Sequence, residues 1–136
     1  MNNKMKFHTK QKLPLHNLPF IGRVKGKDGL SFWDVPNSGG YGGGNTTGRA
    51  LAGIYLRHLQ QHGATPGGSL GSIAADMSLL GNDCSPEDDA RRGQIIGFFN
   101  AIEPILAQLI KRSGIEFTLS DVQLMKQAND GLDGHY

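Results

Sequence analysis

A predominantly helical α+β fold, with an N-terminal basic arm and a short β-hairpin packed on about four helices, is predicted from three features of the sequence. Two short runs rich in β-branched and aromatic residues flank the turn Gly26-Lys27-Asp28-Gly29. Beyond residue 45, apolar residues recur at helical spacing in four separate segments. No later series of strand-like runs follows that would extend a sheet. At 136 residues the chain reads as one domain, with residues 1–19 as a partly extended arm and 130–136 as a frayed tail.

Taken in order, the arm shows no sustained period. Pro14 and Pro19 hold their preceding residues in extended geometry, and Phe7, Leu13, Leu15 and Leu18 supply intermittent apolar anchors. The runs Ile21–Lys25 and Leu30–Val35 are the expected strands, because Asp-Gly between them accepts the positive φ of a hairpin turn, and Pro36 ends the second. A glycine-rich loop, Ser38 to Gly48, should then feed a helix capped by Asn45, Thr46 or Thr47 and ending at Gly63. Leu51, Ile54, Tyr55 and Leu59 mark its apolar face. A second, shorter helix carries Leu70, Ile73, Met77 and Leu80. The third has the clearest start, Ser85 as N-cap, Pro86 in the first helical position, then Glu87, Asp88 and Asp89 against the positive end of the helix dipole. It extends through Ile95, Phe98, Phe99, Ile102, Ile105, Leu106, Leu109 and Ile110, with a kink expected at Pro104. Ser120 and Gln123 have the spacing of a capping box for a last helix from about Asp121 to Asn129.

Composition narrows the function classes. A single cysteine, Cys84, forms no internal disulfide. The start of the chain is polar and lysine-rich, so no signal peptide is expected. Asn100, Glu103, Pro104 and Gln108 interrupt the longest apolar region and argue against a spanning helix, so a reducing cytosol is the expected compartment. The net charge of +2 hides an asymmetry: residues 1–27 carry seven basic residues and no acid, leaving −5 on the remainder. That pattern is a basic arm on an acidic body.

Several residues have the types and spacing that chemistry needs. In the glycine-rich loop, Gly43, Gly44, Thr46, Thr47, Gly48 and Arg49 form a weak candidate anion site, with amides at a helix N-terminus and a nearby guanidinium. The loop imitates the phosphate-binding pattern GxxxxGK[ST] but has Arg49 for the lysine and Ala50 for the hydroxyl, so nucleotide hydrolysis is not expected. The plainer alternative is a permissive connection anchored by Tyr41. His58 and His62 are spaced to share one metal, yet no third ligand is placed by spacing, and solvent-facing histidines at a helix end are the preferred reading. Cys84 lies near a helix start that favours a thiolate, but Asp83, Glu87, Asp88 and Asp89 oppose one. Gly93, Gly97 and Ala101, like Gly48 and Ala52, recur every four residues and suit close helix packing, within the chain or across a homodimer.

The expected function is therefore that of a non-enzymatic binding protein, adaptor or inhibitor in type, without cofactor, metal or membrane contact. The expected partner is a macromolecule, protein rather than nucleic acid, met through Lys4, Lys6, Lys10, Lys12, Arg23, Trp33 and Tyr41. Trp33 has a competing reading as a core residue on the inward strand face. Two alternatives stay open: a nucleotide- or phosphate-binding domain using the glycine-rich loop, and a nucleic-acid-binding accessory protein using the arm. In general character, short and without catalytic motifs, the chain resembles small accessory or inhibitor proteins of phages and mobile elements.

Overall fold

The N-terminal segment packs through a short 3-10 turn, Leu15–Asn17, whose next residues Leu18 and Phe20 are buried. A computed structural model describes residues 5, 14–23, 29–65, 67–78 and 86–135. The hairpin is present as two antiparallel strands, β1 (Gly22–Arg23) and β2 (Leu30–Ser31), with Gly22 opposite Ser31 and Arg23 opposite Leu30. Most of its turn lies outside the described residues. Strand β2 is shorter than the run Leu30–Val35 that suggests it, because the chain after Ser31 bonds elsewhere, while the end of the first run, residues 24 and 25, lies outside the described residues. The Phe32 amide donates to Asp76 Oδ2 at 2.7 Å, and the Asp34 amide donates to the Phe20 carbonyl at 2.7 Å. The alternating pattern persists without a ladder: Trp33 and Val35 are buried while Asp34 between them is exposed.

Helix α1, Gly40–His62, overturns the expectation of a glycine-rich loop. The helix starts at the clustered glycines and not after them. Its N-cap is Gly39, at φ 95° and with no side-chain cap, in place of Asn45, Thr46 or Thr47. Glycine is a poor helix former on intrinsic grounds, so packing must supply the stability that propensity withholds. It does so through a seam with a later helix, described below. The C-terminal end is as expected: Gly63 has φ 71°, and its amide bonds to the Leu59 carbonyl.

Helix α2, Ser69–Ser78, places Ile73 and Met77 in the core. Helix α3, Pro86–Ser113, begins at Pro86 as expected, continues past Pro104, and buries Ala90 and Phe98. Around Phe98 the aromatic side chains cluster, with ring centroids 5.4 Å from Trp33, 5.9 Å from Tyr55 and 6.3 Å from Phe20. These near-perpendicular and tilted contacts are the favoured arrangements of aromatic quadrupoles. Leu18, Val35, Leu51 and Ala52 complete this core.

By contacts the chain separates into two compact units, residues 1–105 and 106–136. The boundary falls just after Pro104. The second unit contains the end of α3 and helix α4, Asp121–Leu132. The capping box at α4 is complete: the Gln123 amide donates to Ser120 Oγ, and the Ser120 amide donates to Gln123 Oε1. One further sequence expectation changes. Within Asp89–Ser113 an 18-residue stretch of α3 reaches a mean hydropathy of 1.3, so by length and composition this helix is apolar enough to cross a membrane. Part of that stretch is buried in the first unit, at Gly93, Gln94, Gly97 and Phe98.

Candidate functional site

The glycines of α1 serve helix packing. A Cβ on Gly44 would fall inside the Ala90 carbonyl, and one on Gly48 inside the Gln94 carbonyl. The relation is reciprocal, since Gly93 is held against the Tyr41 carbonyl and Gly97 against the Asn45 carbonyl. Contact partners advance together along both helices, so α1 and α3 run in the same sense across the seam. Each glycine presents a Cα–H to a facing carbonyl oxygen, the weak hydrogen bond typical of very close helices. The small-residue faces of the two helices are thus spent on each other.

This geometry corrects the anion-site reading. Gly43, Gly44, Thr46, Thr47, Gly48 and Arg49 all lie within α1, where amides beyond the first turn bond to carbonyls four residues back. The Thr46 hydroxyl donates to the Gly42 carbonyl, and Arg49 Nε donates to Asn45 Oδ1 at 2.8 Å. Beside them an open groove of about 440 Å³ is lined by Met5, Val35, Pro36, Ser38, Thr46, Thr47, Ala50 and Leu51. That lining is mainly apolar and carries no charge, which does not suit a phosphate.

The residues expected to meet a partner divide sharply. Lys4, Lys6, Lys10 and Lys12 lie outside the described residues, as does Cys84. Arg23 is exposed on β1, and Tyr41 is 46% exposed in the first turn of α1. Trp33 is corrected from interface anchor to core residue: it is 1% exposed and its indole donates to Gln94 Oε1. His58 also departs from expectation, being buried and stacked between Tyr55 and His62 at centroid distances of 6.0 and 5.1 Å. Among the described residues no three potential ligands gather to hold a metal. Burial lowers the Arg91 pKa, because desolvation disfavours its charged form. Arg91 donates to Gln94 Oε1 and the Val35 carbonyl, which ties this cation into the wall of the core.

A different surface emerges in the second unit. None of residues 106–135 is buried, and only Ile110 and Asp130 are half-buried. Yet Leu106, Leu109, Ile115, Phe117, Leu119, Val122, Leu124, Met125 and Leu132 are large apolar side chains, each 43–84% exposed. On α4, the spacing of Val122, Leu124, Met125, Ala128 and Leu132 places them on one half of the helix. Gln123, Lys126, Gln127 and Asp130 take the other, where Lys126 and Asp130 form an exposed ion pair at 2.8 Å. The apolar stripe of α3 that enters the core at Phe98 continues at the same spacing through Ile105, Leu106 and Leu109, where it is uncovered. Spacing alone marks this stripe without saying which part of it the chain covers. The available signal was its length, eight apolar positions over more than four turns, together with a second amphipathic helix after it.

Compared with models of known protein families, with curated proteins and with solved structures, the chain matches none.

Proposed function

We propose that this chain is a non-enzymatic binding protein, adaptor or inhibitor in type, and that it docks a macromolecule on its C-terminal helical segment. The observation that carries this reading is the absence of any buried residue from 106 to 135 beside nine exposed large apolar side chains. Isolated helices of this length are marginal in water, and most helical stability in proteins comes from burying an apolar face. A segment that is helical with its apolar face bare therefore fits one that completes its packing on a partner. A protein surface suits this face better than nucleic acid, because phosphate recognition relies on cations and not on exposed leucine and phenylalanine. Residues 1–27 carry seven basic residues and no acid, a second feature of opposite character, and of these Arg23 is exposed.

The test is site-specific photo-crosslinking in the native host. A photoreactive residue at Val122 should yield a discrete protein adduct, and the same probe at Gln127 on the polar face should not. Equal labelling from both positions, or none from Val122, would remove the support for a docking face.

A further inference from the structure

The occupant of the C-terminal face can be named by chemistry, on the assumption that this face is indeed a docking surface. We propose that it is a second copy of the same segment, so that two chains pair through the end of α3 and through α4.

Three observations favour self-association. The first is area. Nine apolar side chains at 43–84% exposure offer roughly 1,000 Å², above the ~800 Å² that each partner contributes to an interface of standard size. The second is charge. Residues 106–135 hold three basic and four acidic residues, so two copies meet without strong like-charge repulsion, and each carries both signs for the rim. This contrasts with the basic residues 1–27, which would repel a second copy of themselves. The third is form. Two helical segments joined by residues 114–120, each with one apolar stripe, are half of a four-helix arrangement, and a two-fold axis supplies the other half. The Gly44, Gly48, Gly93 and Gly97 faces do not serve this contact, because they are closed against each other inside one chain.

A lipid surface would also cover apolar side chains. Glu116, Asp121, Asp130 and Asp133 make the segment slightly acidic, whereas helices that lie on membranes are typically rich in Lys and Arg on the polar face.

Sedimentation equilibrium of the purified full chain tests the proposal. The wild type should sediment at twice its 14.7 kDa mass. Leu109→Glu combined with Val122→Glu should weaken association by at least about 100-fold, since each dimer then loses four apolar contacts. Trp33 lies in the core of the first unit, so an unchanged near-ultraviolet signal shows that the variant is folded there. Gln127→Glu, on the polar face, should leave the dimer intact. A monomeric wild type at ~100 μM, or a dimer that survives the double substitution, overturns the proposal. If the wild type is monomeric while Val122 crosslinks to another protein, the second copy is excluded and the docking face stands. If Val122 crosslinks to nothing as well, both readings fall. Binding of a monomeric wild type to 7:3 phosphatidylcholine–phosphatidylglycerol vesicles, lost in the double variant, overturns self-association in favour of lipid.

Discussion

Trp33 and Gln94 are joined across 61 positions of sequence by a buried hydrogen bond, the indole Nε1 donating to the amide Oε1 at 3.0 Å. The same oxygen accepts from Arg91 at 2.9 Å, and the Gln94 amide nitrogen donates to the Pro36 carbonyl at 2.9 Å. One side chain thereby satisfies three groups around the segment that follows β2 and fixes that segment on α3. Replacing Gln94 with Leu leaves an indole N–H, a guanidinium and a carbonyl with a lost partner. The expected loss is about 3 kcal/mol or more, read from guanidinium unfolding followed by Trp33 fluorescence. Gln94→Glu should be milder, because a carboxylate still accepts from Trp33 and Arg91 and adds a counter-charge. A Leu variant as stable as wild type would mean that the network contributes little.

The glycine seam separates two glycines in one helix by sign of effect. At Gly48 a methyl group has no space, since Gln94 and Phe98 backbone atoms occupy its position. Gly48→Ala should destabilise the protein by about 1–3 kcal/mol, as overpacking does. At Gly53 nothing lies within 4 Å, so Gly53→Ala should stabilise it by about 0.5–1 kcal/mol through helix propensity alone. Thermal unfolding of the pair gives the answer. If both substitutions shift the midpoint in the same direction, α1 and α3 do not cross as closely as these contacts require.

That seam also explains what was legible in the sequence. Capping and periodicity are local, so the start of α3 at Pro86, the Gly63 stop and the Ser120–Gln123 box could be read directly. The first two turns of α1 could not. Gly40, Gly42, Gly43 and Gly44 favour a loop by propensity, and of these Gly44 is the one held against α3, at the Ala90 carbonyl. Yet Gly48 with Ala52, and Gly93 with Gly97 and Ala101, already had the spacing of a close contact, and pairing the two series would have identified the partner. Trp33 carried both readings, anchor and core, because sequence alone cannot show that Gln94 lies within reach of its indole. The uncovered face from Leu106 to Leu132 escaped for the opposite reason. Apolar periodicity announces burial, but it does not say whether the chain itself supplies the cover.

For α4, with no buried side chain, the end cap is one of the few local interactions holding the helix. Ser120→Ala removes the acceptor for the Gln123 amide and should cost the helix about 1 kcal/mol. Amide exchange should accelerate about fivefold through α4, while amides of α1 and α2 remain unchanged. Acceleration spread over both units would contradict a purely local role for the cap.

Asp76 makes the last separable contribution. Its carboxylate, on α2, accepts from the Phe32 amide at 2.7 Å, a link across 44 positions that turns the chain out of the hairpin ladder. A carboxylate accepting from a backbone amide is a charge-assisted bond and stronger than a neutral one. Asp76→Ala should therefore cost about 1–3 kcal/mol, the range for hydrogen bonds to charged groups and for a buried donor left unsatisfied. Asp76→Asn keeps an oxygen acceptor but loses the charge, and should recover about half of that loss. The Phe32 amide is the direct reporter. Its exchange should rise in Asp76→Ala well before global unfolding, whereas the amides of Trp33 and Val35, held by a core that Asp76 does not enter, should respond only to the change in overall stability. If Asn and Ala substitutions are equally costly, charge and not geometry holds this corner; if neither alters Phe32 exchange, the bond does not position the segment that carries Trp33 into the core.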